Sequence, residues 1–430
     1  LNENIRWAGL QMLTGGMYLG AEAAIGHPAE FMISYPGFDA PKYNKEGTLV
    51  DAGNEYNLIK YLEKHNRMVP YYQFDRKPFQ GDIESEVKLL KEGTETQAPD
   101  YSNIDLVVAV PVCSGLSSAT RGASNETLDA RNCNMRFLAR YALGTIKPKV
   151  YIFENAPRLM SAAGVRVRSQ LERIAHEFDY SVGYYKTDTQ WHNNCQKRPR
   201  TFVYFFKNDA THVGVPKIEF EHKHISVSEL LDKIPKDATQ QVTIPMQDCI
   251  KSLLGFAKKA YGEDWRTNTK SSSVICEVLK DSKLDDWAKF IEEDQTIDDK
   301  SRARMLKGIN HIKTKLSMGL GFYATTPTLM RNDTMPAAMF KTIPMCLHYK
   351  EDRLYNMREW LTAMGMPFDF EMYGEPGRYY PKIGQNVPAR TAEFITAEAV
   401  KAISNWDTCE RITDSHVVLF DNLKQTVTPM

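Results

Sequence analysis

The run Ile104–Val110, IDLVVAV, constrains this chain more than any other stretch. Past Asp105 it is five consecutive apolar residues, and a strand that is apolar on both faces must be covered on both faces. That requirement points to a mostly parallel sheet between two layers of helices. VYIFEN (Val150–Asn155) is a second strand of this kind, and SVGYY and TFVYFF (Thr201–Phe206) are two more. Between them, LDARNCNMRFLARYAL from Leu128 and LERIAHEF carry apolar residues at helical spacing. Strands spaced by helices over about residues 5–207 predict an α/β domain. Thr201–Phe206 follows its predecessor closely, which predicts one antiparallel pair at an edge of the sheet.

From about Pro216 the rhythm changes to short helical pieces such as SELLDKI and DDWAKFIEE among polar loops. The expected organisation is a catalytic domain over 1–215, a smaller domain over 216–349, and a third part over 350–430. In that third part RLYNMREWLTAM and TAEFITAEAVKAI read as helices, the last packing back onto the first domain. Lys+Arg 54 balances Asp+Glu 54, so a nucleic-acid partner would need positive charge concentrated in one cleft. No apolar run approaches the roughly 20 residues that span a bilayer, and LNENIRW lacks a basic-then-apolar signal. Seven scattered cysteines fit a reducing cytoplasm better than a disulfide framework. His192 with Cys195 has no second pair to complete a zinc site, so no metal is expected.

Four stretches carry chemistry. PVCSGLSSATRG (Pro111–Gly122) follows the buried strand, where open α/β sheets bind ligands. A lone Cys113 there is usually a packing residue; the polar Gly/Ser loop and Arg121, which favours a thiolate, raise the odds of a nucleophile. FENAPRL brings Glu154 and Asn155 to the same sheet edge, where a strand-end Glu is usually solvated but, beside a reactive Cys, can deliver a proton. In NNCQKRPRTFVYFF, Gln196, Arg198 and Arg200 alternate, which places them on one face suited to a phosphate or base carbonyl, against the alternative of a basic turn in water. LTGGMYLGAEAAIG sets Gly15 and Gly16 between strand and helix, a weak nucleotide-turn signal that does not match G-x-G-x-x-G.

In this order the pieces resemble the DNA cytosine methyltransferases that act on carbon 5. PVCSGLS resembles the family's Pro-Cys loop, FENAPRL its Glu-Asn-Val motif with Ala156 for Val, and QKRPR (Gln196–Arg200) its Gln-x-Arg-x-Arg. RLYNMREWLTAMGMPFDF (Arg353–Phe370) and IGQNVPARTAEFI (Ile383–Ile395) resemble the two motifs after the variable recognition region. The departures gather around the cofactor: Leu13 stands where a Gly is usual, and Gly384-Gln385-Asn386-Val387-Pro388 replaces Gly-Asn-Ser-Val-Pro.

The resemblance implies a Rossmann-like methyltransferase domain with a smaller target-recognition domain, S-adenosylmethionine as cofactor, and double-stranded DNA as partner of a monomeric enzyme away from membranes. It implies Cys113 as nucleophile, with Glu154 and Arg198 as its catalytic partners. Cofactor binding falls on Leu13, Gly15, Gly16, Glu55, Asp82, Ile83, Pro111 and Asn386, with Asp75 an alternative acid. Substrate contact falls on Ser117, Asn155, Gln196, Arg200, Thr326 and Thr328. Arg302, Arg304 and Lys307 are further DNA-backbone candidates, though their helix face can equally be solvated. The alternatives are tRNA as substrate, or a DNA-binding homologue whose cofactor pocket has decayed.

Overall fold

The computed structural model describes residues 4–74, 99–113, 115–116, 132–241, 245–268, 283–318, 328–329, 335–336 and 346–430. Nine strands form one sheet: β1 (Trp7–Leu10), β2 (Phe31–Ser34), β3 (Tyr71–Gln73), β4 (Leu106–Ala109), β5 (Val150–Asn155), β6 (Tyr180–Asp188), β7 (Pro199–Lys207), β8 (Val417–Asp421) and β9 (Thr426–Pro429). Their order is β9-β8-β6-β7-β5-β4-β1-β2-β3. From β3 to β5 all neighbours are parallel.

The two-faced apolar strands behave as their composition requires. Leu106 and Val108 of β4 join one apolar core, while Val107 and Ala109 join the core on the opposite face. Helices α1 (Gly16–Ile25) and α2 (Tyr56–Lys64) cover the first face; α3 (Cys133–Arg140) and α4 (Val165–Glu177) cover the second.

The antiparallel strand is not at an edge. β7 lies inside the sheet, antiparallel to β5 on one side and β6 on the other. Thr201–Phe206 has no polar alternation, so solvent on either face would strand apolar area, and the interior position removes it from water. The edge is instead the hairpin of β8 and β9, with every residue of β9 exposed.

A separate apolar cluster joins helices α5 (Asp248–Tyr261), α6 (Leu284–Glu293) and α7 (Asp299–Ser317), and Leu347 and Leu354 close it. Val215, Ile218, Val227 and Leu231 still belong to the sheet core, so the second core begins only at Ile250, later than the change of texture at Pro216. After helices α8 (Met357–Ala363) and α9 (Pro376–Gln385), α10 (Ala389–Ser404) returns to the sheet alongside α1. The approach is close because Gly20 has no side chain: a Cβ there would lie 2.4 Å from Ala389 O. No described helix is long and apolar enough to cross a membrane.

Candidate active site

The carboxyl ends of β4 and β5 bring the reacting candidates together. Beyond β4, the Pro111–Cys113 turn is held by Asn134, whose Oδ1 accepts from Val112 N at 2.7 Å and whose Nδ2 donates to Tyr35 Oη at 3.0 Å. Glu154 and Asn155 end β5. The antiparallel register pairs Phe202 with Glu154 and Thr201 with Asn155, so Arg200 arrives one residue beyond the strand end. There Arg200 Nε meets Glu154 Oε1 at 2.5 Å, and the Glu154 carboxylate is buried.

Cys113 is half-buried beside this pair. Burial pushes its thiol above the ordinary value, the Glu154 charge pushes the same way, and Arg200 and Arg198 pull it back. The four side chains therefore share one electrostatic field, in which neutralising Glu154 favours the thiolate.

Burial alternates through Gln196, Lys197, Arg198 and Pro199 as a strand requires, but the buried face looks into the protein. Gln196 is fully buried, with Nε2 on Met364 Sδ at 3.4 Å. Arg198 departs most from the expectation of substrate contact. It is 1% exposed, and its Nη2 donates to Gly384 O at 2.8 Å and Asn386 O at 3.0 Å. Burial lowers its pKa to about 9. The place beside Glu154 is taken by Arg200. Asn155 also faces inward, its Nδ2 on Met135 Sδ and its Oδ1 accepting from Ala156 N. Period two selects one face for Gln196 and Arg198, and that face abuts the returning C-terminal segment, while Asn155, on β5, turns toward α3.

The glycine turn stands at the carboxyl end of β1. Gly15 adopts φ 106°, left-handed, immediately before α1, and Leu13 holds φ 52° with a side chain that makes this conformation costly. Gly16 N donates to Asn386 Oδ1 at 2.8 Å, and a Cβ on Gly16 would strike Val387 O. Glu55, at the start of α2, is 2% exposed and accepts from Tyr71 Oη at 2.7 Å. Burial raises its pKa to about 7 against hydrogen bonds that lower it, including backbone bonds from Met12 and Leu13. Gln11, fully buried in the same turn, has neither amide atom hydrogen-bonded among the described residues. A buried carboxylate for hydroxyls, a buried amide and a left-handed glycine before a helix form a donor and acceptor set that fits a nucleoside-bearing cofactor. Pro111 opens the neighbouring turn after β4.

Asp75, Asp82, Ile83, Ser117, Arg121 and Thr326 lie outside the described residues. Thr328 sits in a two-residue strand beside Cys346–Leu347, and Met335–Pro336 pairs in parallel with Gln196–Lys197, bringing that segment to the QKRPR run. Arg302 is committed to Asp299 and to the carbonyls of Asp294 and Ile297, whereas Arg304 and Lys307 are exposed on α7. Gln11, Tyr71 and Asn134 escape sequence reasoning; an amide in the turn after β1 is the one signal that could have found any of them. A cavity of about 600 Å³ lined by Leu19, Tyr61, Thr362, Met366 and Phe368 opens beside α1, and none of the reacting candidates line it.

The model of the family described as C-5 cytosine-specific DNA methylase matches residues 52–401, well over half of the chain. The match begins after the glycine turn. No curated protein matches. Among solved structures, the chain is similar to a DNA modification methyltransferase encoded within a prophage of E. coli, at 15% identity and TM-score 0.49, over 93% of this chain and 99% of that one. It is also similar to the methyltransferase EhMeth of Entamoeba histolytica, at 12% identity and TM-score 0.48 over 95% and 99%. The S. pombe Dnmt2 methyltransferase follows at 10% and 0.44 over 93% and 99%. With the sheet, the site and a family match of this extent in hand, the chain belongs to the C-5 cytosine-specific DNA methylase family.

Proposed function

We propose that methyl transfer to carbon 5 of cytosine in double-stranded DNA takes place at Cys113, with Glu154 and Arg200 as its immediate partners. The observation that carries this is the convergence of a thiol, a buried carboxylate and a guanidinium at the adjoining ends of β4, β5 and β7. Carbon 5 of cytosine is a poor nucleophile until a thiolate adds to carbon 6. The Cys113 thiol loses its proton and its sulfur bonds to carbon 6. Glu154, held in place by Arg200, acts in its protonated form: it delivers its proton to ring nitrogen 3 as the sulfur adds, neutralising the charge that develops there, and takes that proton back when the adduct breaks down. S-adenosylmethionine supplies the electrophilic methyl group for carbon 5. Loss of the carbon 5 proton then breaks the sulfur–carbon bond and restores the aromatic ring. A stacked base offers the thiolate no approach to its face, so the cytosine must leave the duplex.

Gly15, Gly16, Glu55 and Gln11 would hold the cofactor: Glu55 through hydroxyls, Gln11 through its buried amide, and the glycines by allowing close backbone approach. Leu13, Pro111 and Asn386 border the same turn, with Asp82 and Ile83 assigned by resemblance. DNA would lie between the sheet domain (1–215 with 350–430) and the smaller unit within 216–349. Arg304 and Lys307 would meet phosphates there, with Ser117, Thr326 and Thr328 assigned to substrate contact by resemblance. The enzyme works as a monomer in a reducing, cytoplasmic setting.

Labelled methyl transfer from S-adenosylmethionine to duplex DNA and to tRNA tests the substrate. Label in DNA is expected. Label in tRNA alone would replace the DNA reading with the RNA one.

A further inference from the structure

Arg198, whose charge is felt at Cys113 and Glu154, places one guanidinium nitrogen on a part of the chain that carries no reacting group. Its Nη2 bridges Gly384 O and Asn386 O, almost two hundred positions away in sequence. The same segment grips the glycine turn from its other side. Gly16 N donates to Asn386 Oδ1 at 2.8 Å, Thr14 Oγ1 donates to Lys382 O at 3.0 Å, and Lys382 Nζ is anchored on Asp51. Residues 382–386 thus lie between the turn after β1 and the entry to β7. Two residues further along β7, Arg200 holds Glu154.

We propose that Arg198 is a positioning residue that sets the cofactor turn in register with Glu154 and Cys113, acting through the Gly384–Asn386 carbonyls and touching neither cofactor nor base. This rests on the reading that the Gly15–Gly16 turn holds the cofactor. One nitrogen shared by two carbonyls fixes both strand entry and loop at a single point. A methionine at this position fills space and leaves both carbonyls without their donor, while a lysine retains a charge able to reach one of them. If the tie is cut, the 382–386 segment loses its support from β7, and with it the turn that Thr14 and Gly16 hang on.

The test is calorimetric binding of S-adenosylhomocysteine to the full chain without DNA, alongside amide hydrogen exchange of the unliganded protein. Arg198→Met is expected to raise Kd at least tenfold and to accelerate exchange at Gly16. Arg198→Lys should recover part of both effects. Thr14→Val, which cuts the tie at its far end without opening a hole in the sheet, should raise Kd in the same direction, so the proposal stands or falls even if Arg198→Met does not fold. Kd within twofold of wild type in Thr14→Val and in whichever Arg198 variant folds, with Gly16 exchange unchanged, overturns the positioning role; a lowered melting temperature alone would mark Arg198 as merely structural. Wild-type protein that binds no S-adenosylhomocysteine would instead refute the cofactor reading of the turn, a distinguishable failure.

Discussion

Glu55→Gln is expected to make the unliganded protein more stable above neutral pH while weakening cofactor binding. The Glu55 carboxyl is 2% exposed, and burial raises its pKa from 4.5 to about 7 even though Tyr71 and the backbone of Met12 and Leu13 hydrogen-bond it. A raised acid pKa means that the fold disfavours the charged form. The penalty is absent below the unfolded value of 4.5, grows as pH rises toward about 7, and is complete above it. At roughly 1.4 kcal/mol per pKa unit, the full penalty is about 3 kcal/mol. Glutamine mimics the protonated acid, so the variant should match wild type at pH 4 and exceed it by about 3 kcal/mol at pH 8. Urea unfolding followed by tryptophan fluorescence reads this directly, because Trp7 is fully buried on β1 beside the turn. A variant destabilised equally at both pH values, or a difference that shrinks as pH rises, would refute the reasoning. A carboxylate buried at such cost is explained if a ligand's hydroxyls repay it, and S-adenosylhomocysteine affinity should fall in the same variant.

Three further outcomes follow from the geometry. Alkylation of Cys113 by iodoacetamide at pH 8 should quicken several-fold in Glu154→Gln and slow in Arg200→Met, since the first removes a charge that raises the thiol and the second one that lowers it; equal rates would deny the shared field. Gly20→Ala should cost about 1–3 kcal/mol in thermal unfolding, because its Cβ would sit 2.4 Å from Ala389 O and 2.6 Å from Ala392 Cβ; an unchanged melting temperature would mean α1 and α10 separate freely. Arg304→Glu with Lys307→Glu should weaken duplex binding at all sequences alike and reduce the log–log salt slope by about one to two; unaltered binding would place the DNA elsewhere.

Much of the fold was legible because two-faced apolar strands announce themselves. Val150–Asn155 and Leu106–Ala109 have nowhere to lie but inside a covered sheet, and they do. The position of Thr201–Phe206 was not legible at the same level. Composition says that both its faces are covered, but an edge partner and two interior partners leave the same pattern in the strand itself. The β8–β9 hairpin gave no signal, since Thr426–Pro429 is wholly exposed and needs no apolar alternation.

At the site, Cys113 and Glu154 could be anticipated as strand-end residues of one sheet edge, and the structure brings them together. That Arg200 rather than Arg198 pairs with Glu154 could not. Alternation tells which residues share a face, whereas what the face meets is decided by Gly384–Asn386, whose arrival depends on the whole intervening chain. Tyr71 on Glu55 and Asn134 on Val112 are contacts of the same tertiary kind.

Covalent trapping on duplex DNA containing 5-fluorocytosine, with S-adenosylmethionine present, tests the central claim most directly. Fluorine at carbon 5 blocks the final elimination, so the sulfur–carbon 6 bond persists and mass spectrometry of the digested complex locates it. The adduct is expected on Cys113 and should vanish in Cys113→Ala. An adduct on the buried Cys133 or Cys195, or persistence in the variant, would contradict the account.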